Sequence, residues 1–354
     1  MTGTLRTFLA LGVALSHVPG LGMKFQLGVI AVMLFYFLSG NVMYRAYQGF
    51  RAKAAQPVLR FFIDRFLRIV PAFAVAILAM VALVRSFKTH IVTFPRPDVG
   101  TQAILSNFNL LCMNDNGICK VPRIIHSSWS LGSEIHFYLL LPLLIAMPFF
   151  AFAACVAASL GWHLYALLTM EPHAAHYWAY GTSYGTLFVF CMGICYARRD
   201  DVRYRTLLAC IVAFELACVV IFFPLLRPYG NFYIQEMWLG VVIAAPLVFA
   251  AEKAKGVIPA AWDRRIGALS YPIFLTHVLS MGIADVVVGM QYPSRRWMVC
   301  FLGALFVISA GMAYFVERPI SALRHKLFNR LSGREAAMTE AALAEGAAVP
   351  QAAK

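Results

Sequence analysis

The sequence predicts an all-α, polytopic membrane protein with ten transmembrane helices and both termini cytoplasmic. Its 354 residues are 61% hydrophobic and only 13% charged, whereas soluble domains contain about 25% charged residues. The mean hydropathy of +0.73 comes from ten separate apolar runs, each close to the ~20 residues that a helix needs to cross a bilayer. Basic residues concentrate in alternate connections between these runs, as expected for a multi-pass protein.

The ten predicted helices follow one another with mostly short polar connections. Membrane-spanning strands would show alternating apolar and polar residues over ~10 positions, a pattern that is absent here. The break between the fourth and fifth helices depends on Pro148 alone, because its neighbours are apolar. The segments are approximately 4–20, 27–48, 61–86, 129–148, 150–169, 181–197, 206–224, 234–251, 267–289 and 297–317.

The distribution of basic residues sets the orientation. With the N-terminus inside, most of the 30 lysines and arginines fall on the cytoplasmic side, which is the usual bias of inner-membrane proteins. The formal net charge of +14 therefore reflects topology, and the chain is too apolar for nucleic-acid binding to explain it. We expect a multi-pass protein of the bacterial inner membrane that contacts membrane lipids.

Two regions lie outside the predicted bundle. Residues 331–354 are small and polar, so we expect a disordered cytoplasmic tail after a membrane domain formed by residues 1–330. The exported loop of about 87–128 carries Cys112 and Cys119, which form a small disulfide or remain free thiols. Cys191 and Cys195 lie one helical turn apart, but we interpret them as packing residues and predict no metal site.

The first segment carries the leading candidates, Arg6 and His17. Ionisable residues inside a membrane indicate a functional site by default. On one helix they lie about 16 Å apart along the axis, at ~1.5 Å per residue. A cation near one face and an imidazole deeper in the membrane suit two substrates that arrive from opposite sides.

A second basic group, Arg65 and Arg68, lies early in the third segment on one helix face. The helix macrodipole disfavours cations near a helix N-terminus, so the presence of two arginines at this position calls for an explanation. One reading is lipid headgroup binding together with the positive-inside bias. The other is an anionic ligand such as a phosphorylated cofactor, which paired guanidinium groups recognise well.

Three further polar residues lie in apolar segments. Glu134 enters the bilayer one to two turns after Trp129, where a carboxylate must be paired or protonated, and His17 is a geometrically possible partner. Ser130 and His277 are secondary candidates, since a lone helical histidine is more often a packing residue. Glu215 receives no functional assignment.

Six sequence motifs, in the order in which they occur, resemble those of the acyltransferase-3 family of ten-helix membrane acyltransferases. The resemblance covers residues 1–320, and two departures are Asn41 after Gly40 and His136 after the WSLGSE motif. The matching stretches are Arg6-x10-His17, LFYFLSGN (34–41), RFLRIVPAF (65–73), WSLGSE (129–134), LSYPIFLTH (269–277) and VERP (316–319).

The resemblance implies a role for each matching residue. It implies that His17 acts as general base or transient acyl carrier and that Glu134 is its acidic partner. It also implies that Arg6, Arg65 and Arg68 bind the cytoplasmic donor, acetyl-CoA or another acyl-CoA, without a metal. The acceptor it implies is a sugar hydroxyl of a polysaccharide, a lipopolysaccharide or a lipid-linked intermediate.

We therefore predict a membrane O-acyltransferase, with O-acetyl transfer favoured. One alternative is a proton-coupled or sugar-lipid transporter without acyl transfer, because buried Glu134, Glu215 and His277 would suit a proton relay. A catalytically silent scaffold is a third reading. Neither an inverted repeat nor interrupted helices, the sequence signs of a transporter, is detected.

Overall fold

The computed structural model describes residues 2–21, 26–87, 98–114, 121–226, 233–254, 256–290 and 293–331. Within these ranges the chain is helical and contains no β-strand, so the all-α prediction is confirmed there. The helices are α1 (Thr2–Ser16), α2 (Leu27–Arg51), α3 (Pro57–Phe87), α4 (Thr101–Ser106), α5 (Trp129–Ala146), α6 (Phe149–Thr169), α7 (Pro172–His176), α8 (Ser183–Ala197), α9 (Val202–Leu226), α10 (Ile234–Lys253), α11 (Ala260–Gly267), α12 (Ser270–Val288) and α13 (Arg295–Met312).

Each of the ten predicted apolar segments coincides with one of the longer helices. α5 ends at Ala146 and α6 begins at Phe149, so the chain does break at Pro148. Among the described residues, eight helical stretches are long and apolar enough to cross a membrane. α1 and α8, with 15 residues each, are shorter. The multi-pass helical architecture follows, while the count of ten spans and the cytoplasmic termini stay predictions.

Two predictions reach beyond the described ranges. The tail assigned to residues 331–354 lies outside them except for Leu331, so the division of the chain at residue 330 stays a prediction. Cys112 is disulfide-bonded, which agrees with one of the two readings of the exported loop. Its predicted partner, Cys119, lies outside the described residues.

α2 lies at the centre of the bundle and packs against α1, α3, α5, α8 and α10. Its tightest neighbour is α8, because Gly40 and Gly193 let the two backbones approach directly. A Cβ on Gly40 would lie only 2.9 Å from the carbonyl carbon of Phe190. Small residues permit such close crossings where lipid supplies no hydrophobic drive for helix association.

The short helix α11 holds the N-terminal end of α1. Asp263 accepts hydrogen bonds from the backbone N–H of Thr4 (2.8 Å), the hydroxyl of Thr4 (2.7 Å) and the N–H of Gly3 (3.2 Å). These N–H groups have no partner inside their own helix, so the carboxylate acts as a cap supplied from another element. Thr7 adds a 2.7 Å bond to a carbonyl of α11. Arg6 lies between these anchors and is therefore held in place.

α13 continues beyond Met312. A π-helical turn, Ala313–Glu317, leads into further helix that ends the described chain at Leu331. We call residues 313–331 the C-terminal extension. Its Arg324 side chain reaches α3, where Nε donates a 2.9 Å hydrogen bond to Asp64 Oδ1. The extension thereby packs back onto the bundle.

Candidate active site

A cavity of about 520 Å³ opens between α1, α2, α3, α5, α11, α12 and the C-terminal extension. Apolar side chains such as Phe35, Leu131 and Phe274 line part of its wall. Five arginines face two glutamates in the same wall, so the cavity is cationic and suits an anionic ligand with an apolar portion. These charged residues are Arg6, Arg68, Arg264, Arg318, Arg324, Glu134 and Glu317.

Two of these arginines, Arg6 and Arg68, interact with carboxylates of the cavity wall only at longer range: Glu134 and Glu317 act on Arg6, and Glu317 acts on Arg68. Neither guanidinium has a hydrogen-bond acceptor or an ion-pair partner among the residues that the structure describes. The Nε of Arg6 is buried as well. A buried donor without a partner costs about 1–3 kcal/mol, and more when it is charged, so the Nε of Arg6 favours an anion in the cavity. Arg68 is half-buried and adds a second positive charge to the same wall.

Arg65 occupies a different environment from Arg68, although the two residues are only three positions apart. Its guanidinium forms an ion pair with Asp64, with Nε 2.9 Å from Oδ2, and lies 3.1 Å from the sulfur of Met43. It is not part of the cavity wall, whereas Arg68 is. The expectation that both arginines present one ligand-binding face is therefore not met in this structure.

Glu134 and Ser130 both lie on the cavity wall, one turn apart on α5. Among the described residues, the Glu134 carboxylate accepts hydrogen bonds from the hydroxyls of Ser39 (3.0 Å) and Tyr138. The expected pair of His17 with Glu134 is thus not formed as a hydrogen bond. The carboxylate is held by α2 and by its own helix instead.

His17 lies one residue beyond Ser16, the last residue of α1, rather than inside a helix. Its Nδ1 is 2.8 Å from the carbonyl oxygen of Val13. Because a carbonyl only accepts, Nδ1 must carry the hydrogen, which leaves the lone pair of the neutral ring on Nε2. The contact with Val13 therefore fixes the orientation and the tautomer of the ring.

A second imidazole, His277, packs against His17 with ring centroids 4.9 Å apart. It is fully buried, and its Nδ1 is 2.7 Å from the carbonyl of Phe274, so it carries the same tautomer. Within the described ranges its Nε2 has no hydrogen-bond partner. His126 lies close enough to interact electrostatically with both rings.

The cavity ends close to these imidazoles. Phe274 lines the cavity and precedes His277 by three residues on α12. Ser130 lines it as well and follows His126 by four residues. The cavity wall therefore comes within about one helical turn of the histidines on two separate elements.

Sequence reasoning underestimated His277 and missed His126. The available signal was local: His277 ends the LSYPIFLTH stretch, and His126 directly precedes the serines that lead into WSLGSE. His136 points elsewhere, because its Nδ1 is 2.8 Å from Ser183 Oγ and 3.0 Å from Asn114 Nδ2. It therefore ties the segment 98–114 to α5 and α8.

The site combines arginine side chains and apolar side chains on the cavity wall with a neighbouring group of histidines. Within the described ranges, no three or more His, Cys, Asp or Glu side chains are placed to hold a metal ion. A neutral imidazole can accept a proton from a hydroxyl or attack an acyl group through the nitrogen that carries no hydrogen. The fold and the site together define a polytopic helical membrane protein with an internal, cationic binding cavity beside a histidine cluster.

Residues 4–315 match the family model of the acyltransferase-3 family, described as an acyltransferase domain, so the chain belongs to that family and is a membrane acyltransferase. The chain is also similar to an uncharacterized protein of Aquifex aeolicus (strain VF5), with 25% identity over 210 residues. That match covers 57% of this chain and 90% of the relative. No solved structure matches significantly. The family resemblance drawn from the sequence motifs is confirmed.

Proposed function

We propose that this chain is an O-acyltransferase of the bacterial inner membrane. It transfers an acetyl group from cytoplasmic acetyl-CoA, or another acyl group from its CoA thioester, to a sugar hydroxyl. The acceptor is an exported polysaccharide, a lipopolysaccharide or a lipid-linked saccharide. The observation that carries the proposal is a cavity lined by five arginines and two glutamates whose wall approaches a pair of imidazoles.

The donor matches the cavity in charge and in polarity. Arg6 and Arg68 recognise the phosphates, since guanidinium groups bind phosphate oxygens with charge-assisted hydrogen bonds. The apolar wall accommodates the less polar arm that ends in the thioester. Arg6 lies ten residues, about 15 Å, before the last residue of α1, and His17 follows directly, so anchored phosphates leave the thioester free to reach the imidazole.

His17 supplies the proton transfer. In the first route its Nε2 takes the proton of the acceptor hydroxyl, the oxygen attacks the thioester carbonyl, and the C–S bond breaks. The imidazolium then returns the proton to the CoA thiolate. In the second route Nε2 attacks the thioester carbonyl, the C–S bond breaks and CoA leaves as the thiolate. The acceptor oxygen then takes the acyl group from Nε2, which restores the neutral imidazole, and the hydroxyl proton goes to the thiolate. His277 packs against His17 and fixes its ring in either route.

Glu134 positions the substrate from the cavity wall. Its carboxylate is held by Ser39 and Tyr138 and lies close enough to Arg6 for an electrostatic interaction. An ionised carboxylate has about four acceptor positions, so two remain for substrate hydroxyls or for charge balance. We assign it to positioning the substrate rather than to orienting the His17 ring by hydrogen bonding.

The test uses membrane vesicles that contain envelope glycan and radiolabelled acetyl-CoA. We expect the wild type to label the glycan and His17→Ala to lose the activity. The matched control is His325→Ala, because His325 makes the same Nδ1 contact with the carbonyl four residues earlier (2.7 Å) but is exposed and outside the cavity wall. Equal labelling by wild type and His17→Ala would overturn the catalytic assignment.

A second experiment separates the two routes. Protein purified without acceptor is incubated with labelled acetyl-CoA, quenched at neutral pH and digested for mass analysis. An acetyl adduct on His17 supports the acyl-carrier route. Acetyl-CoA that stays intact until a sugar acceptor is added supports the general-base route.

The environment of Glu215 favours proton-coupled transport as a second candidate function. It is fully buried in α9, and no described residue donates a hydrogen bond to either carboxylate oxygen. An isolated buried carboxylate must be protonated or bind a cation, which suits proton movement. Saccharide flux into vesicles without CoA release, abolished by Glu215→Gln, would favour transport over acyl transfer.

A further inference from the structure

The C-terminal extension supplies one side of the cavity. Glu317, Arg318, Ser321 and Arg324 all line it, and all lie beyond residue 315, where the family match ends. The extension is fixed to the bundle by the bond between Arg324 and Asp64. It is also fixed by a contact of the Phe50 and Phe328 rings at 5.6 Å. This wall is thus an anchored part of the site that the family match does not cover.

Asp64 holds two guanidinium groups at once. Its Oδ2 accepts from Arg65, and its Oδ1 accepts from both Nε and Nη2 of Arg324. The Asp64 side chain is only 6% exposed, so this contact is well shielded from solvent. One carboxylate thus faces two cations, and the cluster keeps an excess positive charge.

Arg324 has further N–H donors that could bind a ligand. A guanidinium carries five N–H donors in a fixed plane, and the bonds to Asp64 come from Nε and Nη2. No described residue accepts from its Nη1. Because Asp64 fixes the plane of the group on the cavity wall, the free donors are already oriented before a ligand arrives.

We propose that Arg324, positioned by Asp64 and assisted by Arg318, forms a second phosphate-binding subsite at the extension side of the cavity. This inference rests on the proposed function and assigns the subsite to a phosphate of the CoA nucleotide. Arg6 and Arg68 bind on the α1 and α3 walls, so the donor is held from two sides. Arg65 contributes by sharing Asp64, not by touching the ligand.

The test measures CoA binding by calorimetry to protein in nanodiscs of zwitterionic lipid. We expect Arg324→Ala to weaken binding about tenfold, which is the usual size for one charge-assisted hydrogen bond. The variant should fold, because Arg65 still pairs with Asp64 after the substitution. Arg330→Ala is the matched control, since Arg330 lies on the same extension but outside the cavity wall.

A kinetic measurement separates binding from a general structural role. For Arg324→Ala we expect a higher KM for acetyl-CoA with little change in kcat. The KM for an acetyl-pantetheine thioester, which lacks the nucleotide, should not change. Arg324→Lys keeps the charge but not the planar fork, and we expect intermediate CoA binding from it.

The outcomes distinguish this inference from the proposed function. If the wild type binds no CoA, the proposed donor is wrong. If the wild type binds CoA and Arg324→Ala binds it equally well, only the second subsite is wrong. If Arg324→Ala affects CoA binding only in nanodiscs that contain phosphatidylglycerol, the subsite holds an anionic lipid headgroup and the nucleotide assignment is overturned.

Discussion

Substitution of Gly193 by alanine tests the central packing contact of the bundle. A Cβ at this position would lie 2.7 Å from the backbone nitrogen of Asn41 and 2.9 Å from Cα of Gly40, and closer still to the Phe37 carbonyl oxygen. All three neighbours belong to the backbone of α2, which cannot rotate away as a side chain can. α2 and α8 must therefore separate by about 1 Å or more to restore ordinary contact.

Overpacking of this kind costs about 1–3 kcal/mol, and a backbone neighbour places Gly193→Ala at the upper end. Since about 1 kcal/mol corresponds to roughly 2–4 °C in a protein of 150–250 residues, we expect the unfolding midpoint to fall by several degrees. Activity should fall as well, because Ser39, which bonds Glu134, lies on the displaced helix.

The assay is thermal unfolding of the purified protein in detergent, followed by tryptophan fluorescence. Gly303→Ala is the control: Gly303 is exposed on α13, and a Cβ there would meet no atom of the described residues within 4 Å. Alanine favours helix over glycine by about 1 kcal/mol, so this variant should be as stable as the wild type or more so. Equal midpoints for both variants would refute the close contact of α2 with α8.

Three further predictions address the cap, the wall and the core. Asp263→Ala removes the cap of α1 and should cost about 1 kcal/mol, seen as a lower unfolding midpoint together with weaker CoA binding in calorimetry. Tyr138→Phe removes one of the two hydrogen bonds to Glu134 and should lower kcat several-fold in the vesicle assay, while the midpoint changes little. Ser309→Ala breaks the buried 3.0 Å bond to Thr276 and should lower the midpoint by an equivalent of about 1 kcal/mol without changing CoA affinity.

Each of these predictions has an outcome that contradicts it. Unchanged CoA binding by Asp263→Ala would mean that the cap does not position Arg6. Wild-type kcat in Tyr138→Phe would remove Glu134 from the reaction as we describe it. Reduced CoA affinity in Ser309→Ala would show that the contact between α12 and α13 shapes the cavity.

The helices were predictable because lipid imposes a simple rule on the sequence. Every crossing segment must be apolar over about 20 residues and must satisfy its own backbone hydrogen bonds, so apolar runs mark the helices directly. Even the break at Pro148 followed, because proline has no N–H and its predecessor avoids helical angles. The shortness of α1 was not visible, because Val18 is apolar and the sequence shows no clear stop signal directly after Ser16, where the helix ends.

The site was predictable only where an ionisable residue interrupts an apolar segment. Arg6, His17 and Glu134 are such residues, and two of them line the cavity. The different environments of Arg65 and Arg68 were not predictable, because they depend on Arg324, which shares Asp64 with Arg65 from 260 positions away along the chain. Spacing along one helix specifies a face, but only the neighbouring helices decide which part of that face becomes a ligand site.

The excess positive charge on the cavity wall works against folding and fits the anionic donor that we propose. Among the described residues, Arg6 and Arg68 have no hydrogen-bonded or ion-paired carboxylate, and Glu134 and Glu317 act on Arg6 only from a longer distance. Asp64, by contrast, forms ion pairs with both Arg65 and Arg324. A cavity wall with five arginines and two glutamates suits a ligand that brings negative charge, as the proposed donor does. A ligand that binds only the folded state stabilises it by mass action, so acetyl-CoA, the donor that we propose, should also raise the unfolding midpoint.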